Sequence, residues 1–166
     1  MSHNGTDKQG NMIDFERFMT EYAGKIGVAE AVDFDDGICH LDIAGRDIGF
    51  MRIPEGDAIL VWSALKACPA DGTETFYRLL LRLNFMGQGI REGAFSVSED
   101  NVAYAHRTFS APEADPEGFA AAVERFVKDV EVWHDAVEHA QFGDDALRKV
   151  ASALDEPLSG EPLIRV

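Results

Sequence analysis

The segment from Thr73 to Met86 constrains this chain more than any other stretch. Phe76, Tyr77, Leu79, Leu80, Leu81, Leu83, Phe85 and Met86 spread round almost the whole circumference of a helix, leaving Arg78, Arg82 and Asn84 as its clearly polar positions. A helix apolar on all sides is buried on all sides. The chain has 166 residues, the size of one domain, and a single domain rarely wraps one helix completely. The spacing therefore predicts that one side meets a second copy of the chain. Tyr77, Leu81 and Phe85, four apart, form the proposed intersubunit stripe, with Phe76, Leu80 and Leu83 turned to the core.

The flanking periodicities set the rest of the architecture. Phe15, Phe18, Met19, Tyr22 and Ile26 recur at helical steps within Met12 to Ile26, and Gly27 suits the residue that ends that helix. The period then shortens to two. Strands are predicted near Ala31 to Phe34, Ile38 to Ile43, Asp47 to Ile53 and Ala58 to Leu65, with turn chemistry at Asp36-Gly37 and Ala44-Gly45. The last of these strands is apolar on both faces, which predicts protein on each side of it. Thr73 is the predicted N-cap of the apolar helix. A hairpin follows, from Phe95 and Val97 through Glu99-Asp100-Asn101 to Val102–Phe109, and Asp115-Pro116 opens a long helix striped by Phe119, Val123, Phe126, Val127, Val130, Trp133 and Val137.

The fold class is thus α+β: an antiparallel, strongly twisted sheet with three main helices in the order α-β-β-β-β-α-β-β-α. Residues 1–11 read as a flexible polar leader, 12–140 as the domain, and 141–166 as a short helix near Asp144 to Leu154 with a mobile tail. Leu147, Val150 and Leu154 are sparse there, and Pro157, Gly160 and Pro162 break regular structure.

Charge and composition exclude several function classes. Thirty acidic against fifteen basic residues give a formal charge of -15, which repels a phosphate backbone, so no nucleic-acid partner is expected. No apolar run approaches the roughly 20 residues of a membrane-spanning helix, so no membrane insertion is expected. The polar start from Met1 to Asn11 has no apolar signal core, and two cysteines, Cys39 and Cys68, make no disulfide framework. A cytoplasmic location with both thiols reduced is the expectation.

No constellation of catalytic chemistry assembles. His134, Glu138 and His139 lack zincin spacing, and Cys39 and His40 point to opposite faces of a strand. Gly87-Gln88-Gly89-Ile90-Arg91-Glu92-Gly93 follows a helix, whereas the dinucleotide fingerprint follows a strand, and it lacks the Gly-Lys-Ser/Thr ending of a P-loop. The sequence predicts no enzyme activity, no catalytic, cofactor-binding or metal-binding residues and no cofactor.

The run Leu79-Leu80-Leu81-Arg82-Leu83-Asn84-Phe85-Met86-Gly87-Gln88-Gly89, followed by Ala94 to Ser98 and Val102 to Phe109, resembles the class I chaperones of bacterial type III secretion, the Tir chaperone or CesT-like family. In that family a helix ending in Leu-x-x-Asn leads through glycines into a strand pair. A long final helix rich in Phe then ends near a Trp, matched here by Phe119, Phe126 and Trp133. The resemblance covers about Met12 to Ala140, with Asn101 at the turn where the family often has Gly. It implies a small acidic homodimer without ATPase activity that keeps an N-terminal segment of a secreted effector or secretion component extended and export-competent. It places client contacts on the first helix and neighbouring strands, hence on Phe15, Phe18, Met19, Tyr22, Ile48 and Phe50. A small α+β ligand-binding domain, or a regulatory assembly subunit of related fold outside secretion, is the alternative.

Overall fold

A computed structural model describes residues 14–29, 32–54, 57–68, 70, 73–85, 89–110 and 115–138. The expected leader and C-terminal short helix and tail lie outside these residues. Helix α1 (Phe15–Lys25) starts at Asp14, whose carboxylate accepts the Arg17 amide at 3.3 Å, and is followed by Gly27 at φ +77°. Four strands follow: β1 (Asp33–Asp35), β2 (Ile38–Ile43), β3 (Arg46–Ile53) and β4 (Ala58–Ala67). Two-residue turns join the first three. Asp36-Gly37 and Ala44-Gly45 all take positive φ, the geometry that matches the twist of antiparallel strands. Helix α2 (Thr73–Asn84), the hairpin β5 (Gly93–Val97) and β6 (Val102–Ser110), and helix α3 (Pro116–Glu138) complete the order. Asn101 supplies positive φ at the hairpin turn, the conformation a Gly would take there.

The six strands form one antiparallel sheet in the order β1-β2-β3-β4-β6-β5. Register sorts the side chains to two faces. Cys39, Leu41 and Ile43 of β2 stand beside Ile48 and Phe50 of β3, Ile59 and Val61 of β4, and Ala105 and Phe109 of β6, and all of these are buried. Helices α1 and α3 cover this face. Phe119 of α3 makes edge contacts with Phe18 and Tyr22 of α1 and with Phe109 of β6, at ring separations of 5.2–5.3 Å.

Two expectations are corrected. Strand β4 is covered on one face only: Ile59, Val61 and Leu65 are buried beneath the helices, while Leu60 and Trp62 on the other face are half-buried. Trp62 shields itself by lying over Gly49, directly opposite on β3, where a side chain would overlap the indole. Thr73 is the first helical residue rather than the cap, and its hydroxyl donates to the Ala70 carbonyl at 3.2 Å. Helix α2 ends at Asn84, and Met86, its predicted end, lies outside the described residues.

Candidate functional site

Asn84 explains how α2 is attached. Its side-chain amide donates to the Phe95 carbonyl at 3.0 Å and its carbonyl accepts the Phe95 amide at 2.7 Å. Strand β5 is an edge of the sheet, and Phe95 faces Ala105 with its backbone polar groups directed outward. The primary amide therefore satisfies the edge as another strand would. Trp133 of α3 closes the same corner. Its indole N–H donates to the Gly89 carbonyl at 2.7 Å, and its ring meets Phe95 edge-on at 5.3 Å. Replacing Asn84 by Ala strands one donor and one acceptor, so a loss of about 2 kcal/mol is expected. Hydrogen exchange checks it: the Phe95 amide should lose protection ahead of the β3 and β4 amides.

With α2 fixed in this way, Phe76, Leu79, Leu80 and Leu83 are buried in the core. The opposite side is open. Leu81 is 69% exposed and Phe85 66% exposed, the most exposed large apolar side chains among the described residues. Tyr77, the third member of the predicted stripe, is half-buried and its hydroxyl donates to the Asn101 side chain at 2.9 Å, so it ties α2 to the hairpin turn. A groove of about 470 Å³ runs beside this stripe, walled by Leu80, Leu81, Phe95 and Val97.

The six residues on which client contacts were expected lie elsewhere. Phe15, Phe18, Met19, Tyr22, Ile48 and Phe50 are all buried between α1, α3 and the sheet. Phe15 packs on Phe34, and Tyr22 on Phe50 and Phe119. Ile48 and Phe50 take the inner face by strand parity, leaving Met51 on the outer one. The apolar excess of α1 is consumed because two layers, the sheet and α3, both pack on it. Phe18 and Tyr22 keep an edge on a pocket of about 260 Å³ that they line with Arg17, Glu21, Lys25 and Pro116. Open surfaces also lie on the Leu81–Phe85 side of α2 and on the outer sheet face around Trp62, where Asp42, Asp47 and Met51 are exposed and Ile38, His40, Leu60 and Trp62 are half-buried.

The titratable groups are tuned for structure. Burial, reinforced by Asp33, pushes the Cys39 thiol up to about 12, so it stays protonated at neutral pH. Burial, with Glu124 nearby, also raises the Tyr22 phenol. Asp129 is buried on α3. Desolvation raises its carboxyl, while Arg91 at 3.8 Å, with Arg107 and Arg125, acts in the opposite sense. Arg107 also pairs with Glu92 and stacks over Phe109 at 4.5 Å, so the cluster fastens the β5–β6 hairpin to α3. Among the described residues no group of three His, Cys, Asp or Glu side chains stands close enough to hold a metal ion, and no helix is long and apolar enough to cross a membrane.

Residues 17–134 match the model of the Tir chaperone protein (CesT) family. The chain belongs to that family, a family of type III secretion chaperones. No curated protein sequence matches the chain. Two solved structures are similar. A chain of the HopA1–SchA chaperone–effector complex superposes with a TM-score of 0.55 at 11% identity, covering 74% of this chain and 94% of that one. A chain of the ExsC–ExsE complex superposes with a TM-score of 0.57 at 17% identity, covering 72% of this chain and 90% of that one. These similarities establish the fold, and they agree with the element order and sheet topology described above.

Proposed function

We propose that this protein is a cytoplasmic, non-enzymatic homodimer that binds an extended N-terminal segment of a secreted effector or secretion component and keeps it soluble and export-competent. The observation that carries the reading is the family match across residues 17–134, which spans every element from α1 to the Trp133 corner. The chemistry is compatible with it. Holding an unfolded segment requires exposed apolar surface on a body that itself stays soluble, and a formal charge of -15 provides that solubility.

The homodimer is proposed on α2. Leu81 and Phe85 stand one turn apart on a side that no described element covers, next to an apolar groove able to receive the same stripe from a two-fold mate. A self-complementary patch of this kind needs no further partner. Affinity capture of the chaperone from its native cell tests the functional reading: one or two specific secreted proteins should be recovered in stoichiometric amount. Recovery of no specific protein, or of a metabolic enzyme complex, would transfer the chain to the regulatory-subunit alternative.

A further inference from the structure

The outer face of the sheet is ordered in rows across the strands. Ile38, Met51 and Leu60 lie side by side in one row. His40, Gly49, Trp62 and His106 form the next. Asp42 and Asp47, directly opposite one another, form the third. His40 meets the Trp62 ring edge-on at 6.0 Å and shares its Nδ1 with the Asp47 carboxylate at 2.9 Å. Because Gly49 has no side chain, the indole lies flat over β3. On β1, Asp33 and Asp35 project to the same face, and both are exposed. No lysine or arginine stands in these three rows: Arg46, Arg52 and Arg107 have the opposite parity, and the exposed Lys66 lies further along β4, past the register shift between Ala64 and Lys66.

Rows in a sheet are separated by two residues along the strand, about 6.5–7 Å. That is the reach of a Lys or Arg side chain, whose apolar stem can lie on Trp62 while its charged head meets Asp42 and Asp47. Two like charges directly opposite on neighbouring strands are unfavourable by themselves, and a cation between them relieves the repulsion. We propose that this face docks an extended segment of a partner polypeptide that carries an apolar side chain and a Lys or Arg two residues apart, and so on the same side of the extended chain. The apolar side chain rests on Ile38, Met51 and Leu60, and the Lys or Arg lies across Trp62 toward Asp42 and Asp47. The proposal rests on the chaperone reading and specifies the chemistry of the client segment.

Charge decides against the other occupants. A second copy carries the same -15 and would set aspartates against aspartates. The chain's own ends are unsuited too: residues 139–166 hold five acidic and three basic residues, and residues 1–13 hold one of each.

A fluorescently labelled synthetic peptide repeating Val-Ser-Lys-Ser, in which Val and Lys share one side of the extended chain, titrated into the full-length protein and followed by anisotropy, tests the proposal. The expected result is saturable binding that falls about tenfold when Glu replaces Lys in the peptide, and about tenfold again in the Asp42→Asn/Asp47→Asn protein. Asn keeps the Gly45 and His40 hydrogen-bonding geometry, so this variant should fold. Trp62→Leu should also weaken binding, while a charge-matched Glu16→Gln/Glu131→Gln protein should stay within about twofold of the parent. Absence of binding, indifference to the peptide's charge, or equal loss in both double variants overturns the proposal. If a client captured from cells binds the Asp42→Asn/Asp47→Asn and Trp62→Leu proteins undiminished, the docking face is wrong and the chaperone reading stands. Peptide docking as described with no client captured supports the face and removes the chaperone reading.

Discussion

Replacing Leu81 by Asp should turn the proposed α2-mediated dimer into a monomer that is still folded at micromolar concentration. Leu81 is 69% exposed in the single chain, so the new carboxylate sits in water there and costs the fold little. In the proposed dimer the same carboxylate would be desolvated against the apolar α2 of the mate with no cation to receive it. An unpaired buried charge costs roughly 3 kcal/mol or more, a weakening of association of at least about a hundredfold. Sedimentation equilibrium reads the change directly, with circular dichroism confirming that the helices remain. Phe85→Asp, one turn further along the same side, should behave alike. A monomeric parent, or a dimeric Leu81→Asp protein, removes α2 as the interface.

Phe119→Ala should have the largest effect on stability of any single truncation at the α1–α3 boundary. Its ring is 4% exposed and is the common neighbour of Phe18, Tyr22 and Phe109, so truncation empties the space where two helices and β6 meet. Phe-to-Ala changes at such positions cost about 3–5 kcal/mol, a large share of the stability of a domain of this size. Urea unfolding, at one fixed protein concentration because association adds to stability, should show the midpoint falling sharply. A loss below about 1 kcal/mol would mean that α1 does not pack on α3 as described.

The contrast between these two aromatic and aliphatic positions shows what the sequence could reveal. Strand parity and turn residues were sufficient for the first three strands: Asp36-Gly37 and Ala44-Gly45 favour two-residue hairpins, and once those are set the register follows. Helical spacing was sufficient to divide α2 into a core side at Phe76, Leu80 and Leu83 and an outer side at Leu81 and Phe85. It could not show that Tyr77 would be held by Asn101, twenty-four residues away, because side-chain hydrogen bonds carry no periodic signal. The same limit hid the role of Asn84, whose amide mimics a strand on the β5 edge.

The apolar stripe of α1 was legible, but what would cover it was not. A stripe states that a face is buried and is silent on the burying partner, so a client and the chain's own α3 are indistinguishable until tertiary contacts are seen. Phe15, Phe18, Met19 and Tyr22 proved to be interior. The open surface lay instead on alternate residues of β2, β3 and β4, where Trp62, Met51 and Leu60 read as ordinary strand residues.

As a secretion chaperone, the protein should hold a segment of its secreted partner extended and without a fold of its own. Hydrogen–deuterium exchange on the co-purified complex tests it most directly. One contiguous segment near the partner's N-terminus should gain protection only when bound, with matching protection on the chaperone, and should exchange freely when the partner is alone. A partner protected equally when free and when bound, or contacts confined to a prefolded domain, would contradict it.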